Sequence, residues 1–325
     1  MISYIVRRVL YAIPILFGIN LLTFVLFFIV NTPEQMARLH LGMKRVTPEA
    51  IEKWKEEHSY NLPRFINLSE EGVRKVTRTI FYQKSVGLFV FNFGKSDEGR
   101  DIGHEISQRI WPSLSVAVPT FILGLIVNIT VSMIIAFVRG SYLDFSTIFL
   151  CIILISVSSL FFIIGGQFLF GKVLRLVPIS GFEPGSSTLK FIFLPIAIGV
   201  VSGMGGGIRW YRTIFLEEAN RDYVRTARAK GLKESSILFK HTLKNAMIPI
   251  LTGVIVVIPL LFMGSLILES FFGIPGLGSF VIDAINSQDF NIVRAMVYLG
   301  SFLYITGLIL TDICYSLVDP RIRFS

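Results

Sequence analysis

Charge is scarce in this chain. Asp, Glu, Lys and Arg make up 16% of its 325 residues, where a water-soluble domain carries roughly 25%, so a large hydrated surface is excluded. Cysteine is scarcer still. Cys151 and Cys314 each lie inside an apolar run, which excludes a disulfide framework and a thiolate metal cluster. The four histidines, His40, His58, His104 and His241, are scattered without ligand spacing, and no Ser/His/Asp or Cys/His set is placed for nucleophilic catalysis. A true nucleotide-binding loop is also missing. Residues 166–172, Gly-Gln-Phe-Leu-Phe-Gly-Lys, nearly spell one, but Val173 stands where Ser or Thr is required and the stretch ends an apolar run instead of joining a strand to a helix. Enzymatic chemistry, ATP hydrolysis included, is not expected of this chain.

Apolar sequence is what it has instead: 53% of the residues are hydrophobic. Crossing about 30 Å of hydrocarbon takes roughly 20 helical residues. Six runs qualify, at 9–30, 113–138, 146–170, 191–208, 250–268 and 295–317. An all-α integral membrane protein with six transmembrane helices is the fold class these imply. The first run is too long for a typical signal-peptide core and no A-x-A-like cleavage site follows it, so it reads as a retained anchor. The formal net charge of +9 would suit a nucleic-acid binder if it lay on one soluble face, but its placement says otherwise. With the N-terminus inside, the short inside segments carry about 14 Lys and Arg and the short outside loops about four, the asymmetry expected of membrane topology. Both termini are then cytoplasmic, and nucleic acid becomes an unnecessary hypothesis. The resulting organisation is 1–30, the N-terminal end and span 1; 31–112, an external insert; 113–317, a core membrane domain; and 318–325, a cytoplasmic tail.

Within the insert, Thr47-Pro48-Glu49 predicts a helix with Thr as N-cap and Pro at its first position, with Ile51 and Trp54 on one face. Ser69-Glu70-Glu71 predicts the start of a second, with Val73, Val76, Ile80 and Phe81 at helical spacing. So few large apolar residues are expected to form a helical cap packed on the membrane domain, not a domain of its own. Gly199, Gly203 and Gly207 place small residues on one face of the fourth span, for close helix packing or for a hinge. Asp312, in the last span, reads as a structural pair with a loop arginine rather than a proton relay. Glu269 reads as interfacial.

The segment 209–249 carries nine Lys and Arg. Asp222 predicts the cap of a short helix over 223–230, Gly231 suits the left-handed residue that ends it, and a second helix from about Glu234 runs to Pro249. Two short helices joined at a glycine and continuous with membrane spans would form a projection able to dock in a partner's groove. An ordinary basic loop that only fixes topology is the alternative.

The stretch Asp222-Tyr-Val-Arg-Thr-Ala-Arg-Ala-Lys-Gly231-Leu232, followed by His241, Asn245 and Pro249, closely resembles the cytoplasmic loop of ABC importer permeases of the dipeptide/oligopeptide branch. That loop carries an E-A-A-x-x-x-G motif, and the matching positions here are Arg225, Thr226 and Ala227 ahead of Gly231. The glutamate is thus an arginine. Further segments resemble the family in the same order: Tyr4-Ile-Val-Arg7-Arg8 with Ile13-Pro14 and Gly18, Thr47-Pro-Glu-Ala-Ile51, Phe93-Gly-Lys-Ser96, Arg139-Gly-Ser-Tyr-Leu-Asp144, Glu269-Ser-Phe-Phe-Gly-Ile-Pro275-Gly276-Leu-Gly278 and Asp319-Pro-Arg-Ile-Arg323. Two departures stand out. Asn31-Thr-Pro-Glu34 replaces a usual Pro-Gly-Asp-Pro turn, and Ser158 or Ser159 occupies the place of a usual proline in the third span.

The resemblance implies a type I ABC importer permease fold in the bacterial inner membrane, with a helical external insert between spans 1 and 2. It implies partners as well: a second homologous permease, usually in a heterodimer, two ABC ATPase subunits that bind ATP and Mg, an extracytoplasmic solute-binding protein, and membrane lipid. No cofactor belongs to this chain. The ATPase-coupling loop would be Asp222, Tyr223, Arg225, Thr226, Ala227, Lys230, Gly231, Leu232 and His241. Within it the small Ala227 would permit close docking, and the apolar Tyr223 and Leu232 would fill a groove. Glu269, Pro275, Gly276 and Gly278 would form an outer-gate segment. Peptides or peptide-like solutes are the implied cargo. A same-fold permease for nickel, a sugar or a peptide antibiotic stays open, as does, from another class, an autonomous channel or membrane enzyme.

Overall fold

A computed structural model describes residues 2–30, 32–41, 47–185 and 187–318; the Asp319–Arg323 signature and the start of the Asn31–Glu34 turn lie outside them. Apart from one isolated bridge between Lys95 and Asp101, the regular structure among these residues is helical. Among the described residues five helices are long and apolar enough to cross a membrane, and a bent pair makes a sixth if it counts as one span. The chain forms two compact units.

The first unit comprises Met1–Arg109 and Phe280–Ile309. Helix α1, Ile2–Val25, continues through a wider turn at Leu26–Val30. It is followed by α2, Pro33–Leu41, and α3, Pro48–Glu57. The Thr47 hydroxyl accepts the Ala50 N–H at 3.3 Å, and Ile51 and Trp54 are buried, as their spacing predicts. The core joins Phe24 and Phe28 of the first span region to Met36, Ile51, Trp54, Tyr60 and Ile80. The insert therefore has no core separate from the first span's. One predicted helix is two. Helices α4, Arg74–Thr77, and α5, Ile80–Ser85, are divided because the Thr79 hydroxyl accepts the Tyr82 N–H at 3.2 Å and starts a new helix. Val73 and Val76 are consequently exposed, and Glu70 pairs with Arg78 at 2.7 Å instead of capping.

The second unit comprises Ile110–Ser279 and Leu310–Arg323. Its helices are α6, Ile102–Phe137, which begins well before the predicted 113; α7, Tyr142–Ser156; α8, Ser159–Gly166, extended by a wide turn to Val173; and α9, Thr188–Ala219. The run predicted as a continuous third span bends by 89° between α7 and the Ser159–Val173 segment. Val157 and Ser158 are extended, and the Ser158 hydroxyl caps Leu160. Serine here breaks the helix by offering its backbone a local partner, at the position where the resemblance expects a proline.

Next come α10, Asp222–Ala229, α11, Glu234–Ser236, and a wide turn at Ile237–Thr242. These lead into α12, Leu243–Leu260, then α13, Leu266–Phe272, and α14, Leu277–Asn286. The last helix is α15, Phe290–Val318; most of α14 and of α15 belongs to the first unit. Helix α12 passes through Pro249, where the second projection helix was expected to stop. In a membrane span the lost hydrogen bond is made good locally. Met133, Ala136, Tyr211, Phe215, Ala246 and Ile250 bind α6, α9 and α12 together.

Two further contacts shape this unit. Arg212 grips Asp144 through two 2.8 Å hydrogen bonds, and the same carboxylate accepts the Gly140 N–H at 3.0 Å. The glycine face is only partly tight. A Cβ on Gly199 would meet Thr120 at 2.6 Å, one on Gly207 would run into Asn128, and one on Gly203 would meet nothing within 4 Å. Gly203 thus packs against none of the described residues, whereas a Cβ on Gly205 would meet the Cys151 carbonyl at 2.7 Å. Its offset from the four-residue repeat concealed it.

Candidate functional site

Two features of the second unit concentrate unusual residues: a projecting knob at 218–242 and a buried carboxylate at Glu269. The knob begins where α9 ends. Helix α10 packs its Val224 and Ala227 against Ile237, all three buried, with Tyr223 beside them. Gly231, with φ +76°, makes the turn, a conformation that costs glycine nothing. Two charge-assisted bonds from Arg228 to Glu234, at 2.9 and 3.3 Å, close the two arms. The Tyr223 hydroxyl donates to Glu218 at 2.7 Å and so ties α10 back to α9. Burial, then that bond to an acidic partner, pushes the tyrosine pKa up to about 12.

Three residues differ in role from their sequence reading. Asp222 is the first residue of α10 and Arg221 its N-cap, without a side-chain cap bond; the aspartate points out and approaches Arg225 at 3.5 Å. Ala227 is buried, so its small side chain lets the knob close on itself and offers no outer contact. Tyr223 is half-buried and braces the base of the knob. The outer surface is Arg225, Thr226, Lys230, Gly231 and Leu232, and it also includes Phe239, 58% exposed. Nothing in the local sequence separates Phe239 from its apolar neighbours, since a helical pattern with a wide turn shifts which residues face out. His241 lies half-buried in that wide turn, where its carbonyl accepts the Asn245 amide at 3.1 Å.

Glu269 is 1% exposed, so the interfacial reading is corrected. One carboxylate oxygen accepts the Ser265 N–H at 3.1 Å; the other accepts those of Gly278 at 2.7 Å and Ser279 at 3.2 Å. Ser113 Oγ accepts the Leu277 N–H at 2.7 Å. These bonds fold the chain after α13 back onto α13 itself. The fold requires missing side chains: a Cβ at Gly264, whose φ is +64°, or at Gly276 would collide with the carboxylate, and one at Gly278 would meet the Ser265 backbone at 2.6 Å. Glu269, Gly276 and Gly278 are thus brought together, while Pro275 is exposed at the turn. Gly264, Ser113 and Ser265 escaped sequence reading because they lie apart from the motif and join it only in space.

Next to this carboxylate lies a cavity of about 560 Å³. Its walls are Val116, Ile163, Ile198, Val257 and Leu268, with hydroxyls from Thr120, Ser159, Ser202 and Ser265. The knob connects to it through two helices. Ile237 of the knob and Val257 of the cavity belong to one helical run, Glu234–Phe272, and 20 residues at 1.5 Å rise separate them by roughly 30 Å. Helix α9 likewise carries Glu218 at its knob end and Ile198, Gly199 and Ser202 at the cavity. Among the described residues no group of three or more His, Cys, Asp or Glu is placed to hold a metal ion. Residues 166–172 are helical, with no strand before them.

Residues 128–324, which contain both features, match the family described as "Binding-protein-dependent transport system inner membrane component". The chain belongs to this family. Residues 1–68 of this inner membrane component match the corresponding N-terminal family of the same systems. A Brucella abortus (strain 2308) protein named as a peptide transport system permease is 31% identical over 330 residues, covering all of both chains. The oligopeptide transport system permease protein AppB of Bacillus subtilis is 30% identical over 341 residues, again the whole of both. The dipeptide transport system permease protein DppB of Alkalihalophilus pseudofirmus is 26% identical over 355 residues. A multi-pass transport permease, not an enzyme, is what this membership describes, and its place is the inner membrane.

Proposed function

We propose that this permease forms half of the translocation pathway of an ATP-driven importer for peptides or peptide-like solutes, and that the knob is the docking site of an ATPase subunit. The cargo class rests on the relatives, which are named for peptide, oligopeptide and dipeptide transport across their full length. The observation that carries the coupling is the pair of continuous helices joining the knob to the cavity. ATP and Mg are bound by the partner ATPases, whose closure moves the knob. The two helices carry that displacement to the cavity walls, as alternating access demands. The knob and both termini face the cytoplasm, in keeping with the excess of Lys and Arg in residues 209–249. A second, homologous permease completes the path, and an outer binding protein delivers the solute.

The test is a tagged pull-down from solubilised membranes of the wild type, Leu232→Asp and Gly231→Asp. Both substitutions are expected to lose the ATPase and keep the second permease. A chain that comes down alone, or a Leu232→Asp variant that retains its ATPase undiminished, would overturn the docking assignment.

A further inference from the structure

In the first unit a cavity of about 210 Å³ opens among Gln83, Lys84, Asn92, Lys95, Asn291 and Arg294. Arg294 is only 2% exposed. One of its terminal nitrogens donates to Ser85 Oγ at 2.6 Å and reaches the Lys84 carbonyl at 3.5 Å, and the Phe28 ring covers it at 4.8 Å. Its Nε has no hydrogen-bond partner among the described residues. A buried guanidinium is costly until a nearby negative charge offsets its own. Lys84 stands at the same cavity with Nζ 5.0 Å from the Tyr60 ring centroid, and burial pushes its pKa down.

The neighbouring acids are already engaged. Asp289 accepts the N–H groups of Asp97 at 2.8 Å and Ile292 at 3.2 Å, and Asp97 accepts the Asn291 amide at 2.9 Å. Lys84, Lys95 and Arg294 line the cavity and neither carboxylate does; the two acids offset two of the three charges, which leaves a place for one negative charge and disfavours a dianion.

We propose that this cavity is a binding site for a carboxylate, held by Arg294 and Lys84, with Asn92 and Gln83 in its lining. The carboxylate is either the free end of a peptide or an acidic side chain of a docked protein.

The test follows thermal unfolding of the full-length chain in detergent, titrated with sodium acetate against sodium chloride at equal ionic strength. Wild type, Lys84→Gln and Lys95→Gln are compared. A ligand that binds only the folded state raises the midpoint saturably. Acetate is expected to do so in the wild type, to need several-fold more salt in Lys95→Gln, and to do nothing beyond chloride in Lys84→Gln. Triglycine and triglycinamide then separate the sources. If triglycine reproduces acetate and the amide does not, the site accepts a peptide end; if acetate alone acts, the site belongs to a protein's acidic side chain. An acetate response that is absent from the wild type, equal in all three proteins, or exceeded by inorganic phosphate overturns the proposal. No ATPase or transport enters the measurement, so its failure leaves the importer reading untouched.

Discussion

Glu269 shows how much one side chain organises. Three backbone N–H groups converge on it, so the amide in Glu269→Gln would turn a donor toward donors. Each buried donor left unpaired costs about 1–3 kcal/mol, and that loss of stability is expected in thermal denaturation of the solubilised protein. Gly276→Ala should be destabilised in the same assay, because its Cβ collides with the carboxylate. A wild-type melting curve in either variant would show that the cradle is not formed. Asp144 is a second such residue, 5% exposed and bound by Arg212. Removing one partner of a buried pair strands the other, at about 3–5 kcal/mol. Asp144→Asn is therefore expected to be more damaging than Arg228→Gln in the knob. The Arg228–Glu234 pair is about half exposed on both sides, and such a pair is worth about 1 kcal/mol or less.

At the scale of elements, the knob is held by a small apolar contact and a brace, which makes its integrity testable apart from docking. Ala227→Leu would overpack Val224 and Ile237, at about 1–3 kcal/mol. Faster proteolysis at Lys230 and Lys233, with the spans still protected, is the expected outcome. The Tyr223 brace gives a pH signature. Its folded pKa of about 12 lies above the ordinary tyrosine value of 10.0, so the folded state favours the protonated form. Its contribution is fully present below pH 10 and is lost as pH rises through 12. In Tyr223→Phe that part of the alkaline decline in stability should vanish, and an unchanged pH profile would contradict the brace. The expected Tyr223–Leu232 projection was legible because turn glycines and helix periodicity are local. The inward placement of Ala227 was not, since burial depends on which arm folds over it.

At the scale of the whole molecule, orientation is the proposal most directly checked. In a background lacking Cys151 and Cys314, a cysteine at Ser235 in the knob should resist an impermeant thiol reagent added from outside. One at Ser69 in the insert should react. The reverse pattern would invert the topology and with it the docking assignment.

Sequence by itself determined the helical class, the apolar runs and the family resemblance, because spans must be long and apolar wherever they pack. It also marked Gly231, whose left-handed backbone follows from the turn alone. Tertiary structure decided the rest. The pairing of Asp144 with Arg212 joins residues 68 apart, and the burial of Glu269 needs the chain after α13 to fold back on it, while the bend at Ser158 and the division at Thr79 turn on which hydroxyl takes up a helix-start N–H. A carboxylate beside an apolar run reads the same whether lipid headgroups or backbone N–H groups receive it. Only folding supplies the donors that let Glu269 remain inside.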